Sequence, residues 1–376
     1  MKNLLIKSFV IIFMTFLVSV APAGNWQEFG VYISSEDQQN PDIYGNIIVW
    51  QQLVAGDWDI YGADISNPQN PSVFGIAEFV ADQTEPAIYE NTVVWQDYVE
   101  TDWGIYGVDL GYPADVFIVA DFENDQQEPD IYENTVIWQD NYFDDWDIYA
   151  ADIIDPCSPQ EYLITPFLDD QQTPGIYEKT VVWQNGVSGD LDIYGTDITD
   201  LVNPESFLIA GFEDDQKTPV IYGTTTIWGD GFFGDSDIFA AEIYEPKRPI
   251  EYFITAQSSS QTNPDIDGHI IVWQDDRYGD WDIFGYNLTT GQEFLITDNA
   301  YDQTNPVINQ NTVVFQDNRN GNWNIYAVIL NGPEVAQCSS SIEGDVNGDC
   351  KVDLSDFGLI SSHWLECNLE PEQYCW

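Results

Sequence analysis

Near the C-terminal end, Asp345, Asn347, Asp349, Lys351, Asp353 and Asp356 stand at positions 1, 3, 5, 7, 9 and 12 of one short stretch. Oxygen ligands at that spacing, the seventh giving its main-chain carbonyl, wrap a hard cation, so calcium is the expected cofactor. Leu354, Phe357, Ile360 and Trp364 follow at the spacing of one helix face. The expectation is a loop-helix calcium module over 344–376, joined by a linker over 332–343. Cys338, Cys350, Cys367 and Cys375 crowd the last 39 residues. In an exported chain they predict two disulfides, whose pairing spacing alone does not give. Cys157 stands apart, unpaired or reaching the tail.

Catalytic chemistry has few carriers. There are two histidines, His269 and His363, and no G-x-S-x-G elbow. A histidine-based metal cluster is unavailable. Paired carboxylates would suit glycoside hydrolysis, but with 65 acidic residues a pair carries little information. No catalytic residue is assigned.

Other polar residues recur at a fixed period. Gln38, Gln83, Gln126, Gln171, Gln216, Gln261 and Gln303 each lie three residues before a proline. Asp precedes six of them, as Asp37, Asp82, Asp125, Asp170, Asp215 and Asp302. A second glutamine follows a tryptophan or phenylalanine in six copies, as Gln51, Gln96, Gln139, Gln184, Gln274 and Gln316. One reading is a ring of ligands around an axis. The other, favoured here, is that they hydrogen-bond connecting loops, because residues present in every copy serve the copy. Binding should then break the symmetry. The loops after the tryptophans carry Tyr98, Tyr142, Phe143, Phe232, Phe233, Arg277, Tyr278 and Arg319 at irregular places. Exposed aromatics and arginines beside Asp and Asn suit a sugar or protein surface. Packing against neighbouring units is the competing explanation.

What positions these residues is a repeat. Pro41, Pro86, Pro129, Pro174, Pro219, Pro264 and Pro306 are spaced by 45, 43, 45, 45, 45 and 42 residues. In the second copy, Pro86–Tyr89 reads as a short strand, Glu90-Asn91 as a tight turn, Thr92–Gln96 as a strand covered on both faces, and Gly104–Leu110 and Val116–Ala120 as two more. The turn counterparts are Gly45-Asn46, Glu133-Asn134, Asp267-Gly268 and Gln310-Asn311. Four short antiparallel strands per repeat predict an all-β, seven-bladed β-propeller of four-stranded blades over 24–331. One large aromatic per blade (Trp50 to Phe315) and one small residue (Gly62 to Ala327) should interdigitate between facing sheets. The seventh copy lacks a clear fourth strand, and residues 27–34 are expected to supply it.

The chain opens with Lys2, Lys7, an apolar run from Phe9 to Val20 and Ala21-Pro22-Ala23, which reads as a secretory signal over 1–23. The apolar run is shorter than the about 20 residues that span a bilayer. The first 23 residues hold two of nine basic and none of 65 acidic residues, leaving 7 against 65 and a net charge of −58. That excludes nucleic acid as a partner, since no basic patch can neutralise phosphates.

Two resemblances follow from these motifs. P-x-I-Y-x-N-x-V-V-W-Q-D followed by G-D-W-D-I-Y-G is similar to the TolB-like (WD40-like) propeller repeats of cell-surface proteins. This covers residues 25–331 and implies fold more than function. The tail resembles one calcium-binding repeat of a type I dockerin, which implies a protein partner of the cohesin type. It departs from the pattern in having one repeat rather than two, and Cys350 where the loop usually has glycine. The combined expectation is a secreted or cell-surface, monomeric, non-enzymatic protein. Its propeller would bind protein or polysaccharide, and its tail would mediate calcium-dependent attachment. The alternative is an extracellular polysaccharide-degrading enzyme, a glycoside hydrolase or lyase, carried on that tail.

Overall fold

The computed structural model describes residues 26–331, apart from 114, 143–144, 166–168, 188, 213, 232–233 and 245–248. Phe143, Phe232, Phe233, the signal segment, the calcium loop and the four tail cysteines therefore lie outside the described residues. The described chain forms seven four-stranded antiparallel sheets. Blade 1 is typical: an inner strand Gln38–Tyr44, a second Ile47–Val54, a third Asp57–Asp64 and an outer Ser72–Ala77. Among the described residues there is no helix.

Ring closure is not covalent. The outer strand of blade 7 is Gln27–Tyr32, which pairs antiparallel with Asn324–Ile329, the third strand of the same blade. The chain thus enters and leaves through one blade, and the last blade depends on hydrogen bonds to the first residues.

The second strands are buried on both faces because blades cover them from either side. The six tryptophans and Phe315 are fully buried. Each packs on the preceding blade beside its small residue: Trp50 with Ala327, Trp183 with Ala150, Trp273 with Ala240. Where that residue is glycine, the outer strand of its own blade also needs the space. A Cβ on Gly107 would come 2.7 Å from the Phe117 ring, and one on Gly285 2.6 Å from Phe294. The small position therefore admits two aromatics, one from within the blade and one from the next.

The inner hairpin turns have one residue with positive φ, from Gly45 at 60° to Gln310 at 56°. In blade 6 this residue is Gly268, at 61°. Asp267 pairs with Ile270, so the turn is Gly268–His269 rather than Asp267–Gly268. Asp267 sits instead on the strand, in the place that tyrosine takes in blades 1 to 5.

Candidate functional site

Two polar bridges recur where one blade meets the next, and they account for most of the repeated Gln and Asp. The second-strand glutamine of one blade accepts, through Oε1, the N–H of the residue before the proline of the next. The bonds run Glu85 to Gln51, Glu128 to Gln96, Thr173 to Gln139, Thr218 to Gln184, Asn305 to Gln274 and Asn40 to Gln316, at 2.8–3.2 Å. That N–H lies at an irregularity of the inner hairpin, outside the strand ladder. Without the glutamine this part-buried donor would lose its protein acceptor, a loss of roughly 0.5–1.5 kcal/mol. In the second bridge, an Asp at the entry to a blade accepts the N–H that starts the third strand of the blade before. Examples are Trp58 to Asp82 at 2.9 Å and Trp281 to Asp302 at 3.2 Å. The first-strand glutamines are fully buried and hold main-chain groups, as Gln126 does with Phe122 N–H and Asn124 O. These repeated residues build the ring.

At one junction both bridges are missing. Between blades 5 and 6 the glutamine is replaced by Gly229, the aspartate by Ser260, and the tryptophan at the start of the third strand by Ser236. The backbone does not demand the glycine. Its φ lies outside the left-handed region, and a Cβ there would stand 3.3 Å from Ser236 Oγ. Three side chains are thus shortened at one place, and a cleft of about 570 Å³ opens on the loop face. Gly189, Asp190, Asp214, Asp215, Lys217, Thr218, Gly229, Gly231, Ser236, Thr262 and Asn263 line it. Lys217 pairs with Asp215 at 2.7 Å, both partly exposed, and this hydrogen bond holds the Asp215 carboxyl below its ordinary range. Asn263 N–H, whose equivalents all meet a glutamine, lacks that acceptor here.

The irregular loop residues fall in several environments. Arg277 binds Asp275 and Glu293 and lies 4.1 Å over the Phe284 ring. Arg319 binds Asp317 and Glu28 and lies 4.2 Å over Tyr326. Both guanidiniums are thereby tied to the outer strands of blades 6 and 7. Tyr98 packs edge-on against Trp103, while Tyr142 and Tyr278 are more than half exposed. They sit on blades 2, 3 and 6 and are not gathered at the cleft. The cleft residues escaped the sequence reading because their signal is an absence: a glutamine present in six copies, and an aspartate in six, both missing at one junction.

A second set of groups surrounds the axis. Asp42, Asp130 and Asp265 line a central cavity of about 380 Å³ with Tyr44, Tyr89, Tyr132, Tyr177 and Tyr222. The tyrosine rings pack in sequence, tilted by 46–54°, with centroids 4.6–5.0 Å apart. Desolvation pushes the three carboxyls up to about 7, 6 and 8, although each accepts a main-chain N–H from the next blade. Nearer the loop face, burial first and Glu128 second push Glu85 up to about 8. Asn263, Asn305 and Asn40 pass side-chain hydrogen bonds from blade to blade, ending on Glu85. One end of this chain therefore lies in the cleft. Among the described residues, no three His, Cys, Asp or Glu side chains could share a metal ion.

No family model matches the chain, and no curated protein matches it. Solved structures do. A mutant puromycin hydrolase aligns with TM-score 0.60 at 9% identity over 80% of this chain, which spans only about half (53%) of that enzyme. Oligogalacturonate lyase from Vibrio parahaemolyticus aligns with TM-score 0.59 at 12% identity, covering 82% of this chain and 98% of the lyase. The propeller domain of the Trilobed protease from Pyrococcus furiosus aligns with TM-score 0.57 at 10% identity, covering 83% and 98%. At such identities the likeness establishes the fold, a seven-bladed propeller, and nothing of the chemistry.

Proposed function

We propose that this protein is a secreted or cell-surface binding propeller. It takes up a polysaccharide or protein segment in the cleft across blades 4 to 6, and its calcium-binding tail attaches it to a partner, of the cohesin type by resemblance. The observation that carries this reading is the meeting of Gly229 and Ser236 on one opening, at the same junction where Ser260 replaces the aspartate. Independent drift would scatter departures around the ring. The exit of the chain supports it too. Leu330 N–H donates to Asn311 O, beside the inner hairpin turn of blade 7 and so on the face opposite the loop cleft. A tether there leaves the cleft facing outward.

The test is binding of the mature chain to a panel of immobilised polysaccharides and proteins. Asp190→Ala with Asp214→Ala should weaken any binding at least tenfold, and full retention places the ligand elsewhere. In the same chain, Asp345→Ala with Asp349→Ala should remove a calcium-dependent rise in melting temperature or partner capture. A calcium response identical to the parent's counts against the tail site.

The enzyme reading is favoured by one feature, Glu85, a carboxyl that burial first and Glu128 second push up to about 8. A general acid needs that property. Release of soluble product from the same panel, lost in Glu85→Gln, would establish it. Binding without turnover would leave the propeller as a binding module.

A further inference from the structure

We infer that the place vacated at Gly229 receives an amide from the ligand, the acetamido group of an N-acetylamino sugar. The inference rests on the cleft being the binding site and names what it recognises.

The missing glutamine defines the chemistry. At the other six junctions its amide oxygen accepts the N–H before the proline, at 2.8–3.2 Å. Its nitrogen donates across the strand pair, from Gln96 to Thr84 Oγ1 at 2.8 Å and from Gln274 to Thr262 Oγ1 at 3.0 Å. Blade 6 keeps the donor, Asn263 N–H, while blade 5, with Gly229, lacks the amide that would satisfy it. The cross-strand partner of Gly229 is Lys217. A ligand entering this gap must bring an acceptor. An anionic acceptor is disfavoured, because Asp190, Asp214 and Asp215 surround the gap and Asp215 already neutralises Lys217. A bare cation is disfavoured by the main-chain donor it would meet. A neutral amide meets both conditions: its carbonyl accepts from Asn263, and its N–H has carboxylates within the same lining to donate to.

The rest of the lining selects a sugar over a peptide. Thr218, Ser236 and Thr262 add hydroxyls, and Gly189, Gly229 and Gly231 keep side chains off parts of the wall. Hydroxyls and carboxylates pair with ring hydroxyls, whereas no hydrophobic side chain lines the cleft to hold an apolar peptide side chain.

The test compares chitotetraose with cellotetraose, neutral β-1,4 oligosaccharides that differ in the acetamido group, by calorimetric titration of the mature chain. Chitotetraose is expected to bind at least about tenfold more tightly, the worth of one well-made hydrogen bond. Gly229→Gln, which installs the residue that six blades already carry, is expected to abolish that binding while the melting temperature is kept or raised. Equal affinities, both lost in Gly229→Gln, would overturn the acetamido assignment and leave the cleft as a glycan site. Chitotetraose binding that survives Gly229→Gln, or binding of neither sugar, overturns the inference. So does a glutamine-bearing peptide that binds through Gly229 in place of chitotetraose, which would make the partner a protein. Should Gly229→Gln fail to fold, the ratio of the two affinities decides alone, and a ratio near one is fatal.

Discussion

The junction between blades 5 and 6 and its six counterparts are built from the same strands with opposite treatment of the same two bridges. Elsewhere a glutamine and an aspartate bridge each seam, and the aspartate accepts the N–H of the tryptophan or leucine that starts the third strand. Between blades 5 and 6 all three are shortened to Gly229, Ser260 and Ser236, and the seam is open. A repeat protein can tolerate one such opening because each blade is held mainly by its two neighbours, through buried aromatics such as Trp228 and Trp273 that remain in place. Bridges at the rim are therefore the part of the blade that can be given up for function.

The largest expected effect comes from a third kind of seam, the one inside blade 7. Its outer strand is the N-terminal segment, so removing residues 27–32 exposes the edge Asn324–Ile329 and strips Val31 from the core it shares with Trp50. Cooperative thermal unfolding should be lost or lowered by more than about 10 °C, since several buried residues and a whole ladder disappear. A deletion that melts as the parent does would mean that closure contributes nothing the other seams lack.

Next in size is the response to pH. Asp42, Asp130 and Asp265 are raised to about 7, 6 and 8 by desolvation, and Glu85 to about 8. A carboxyl raised in the folded state binds its proton more tightly there than in the unfolded chain. Its contribution is therefore complete below about pH 4 and lost as pH rises through the folded value. From these groups, stability should fall between about pH 4 and pH 8, seen as a lower melting temperature at pH 8. Asp265→Asn should flatten part of that slope; an unchanged slope would show that the axial carboxyls do not govern it.

Much of this was legible in the sequence because propeller construction is periodic. Seven prolines at nearly constant spacing, one aromatic and one small residue per copy give blade number and packing, and both follow from steric fit. The recurring Gln and Asp were legible as construction, but not which N–H groups they hold, because those partners lie in the neighbouring blade. Arg277 and Arg319 read as loop charges, whereas Glu293 and Glu28, which help hold them, stand on outer strands, the latter at the other end of the described chain. Gly229 was hardest: a glycine is commonly read as a backbone requirement, and only its ordinary φ shows that it marks a removed side chain.

The covered seams can be turned into open ones. Gln274→Gly leaves Asn305 N–H without its acceptor and Thr262 without its donor. The expected cost is about 0.5–1.5 kcal/mol, the loss of a part-buried hydrogen bond, measured by denaturant titration with an unchanged slope. A cost near zero would mean that water replaces the amide freely, and the open seam would then need no ligand.

The smallest effect is the converse. Gly229→Gln gives Asn263 N–H the acceptor that its six equivalents have, and it removes the conformational freedom of a strand glycine from the unfolded chain. Together these are worth about 0.5–1.5 kcal/mol in favour of folding. Against them stand the 3.3 Å approach of the new Cβ to Ser236 Oγ and the presence of Lys217 where a neutral partner stands in blades 2 and 6. Replacing Lys217 by Thr in the same chain restores the pairing seen in those two blades, so the double variant should be more stable than Gly229→Gln alone. A gain in stability obtained by filling the cleft, together with loss of ligand, would identify the opening as a feature held at a cost to folding. If both variants are less stable than the parent, the residues around the fifth seam have readjusted to the glycine, and the seams are not interchangeable.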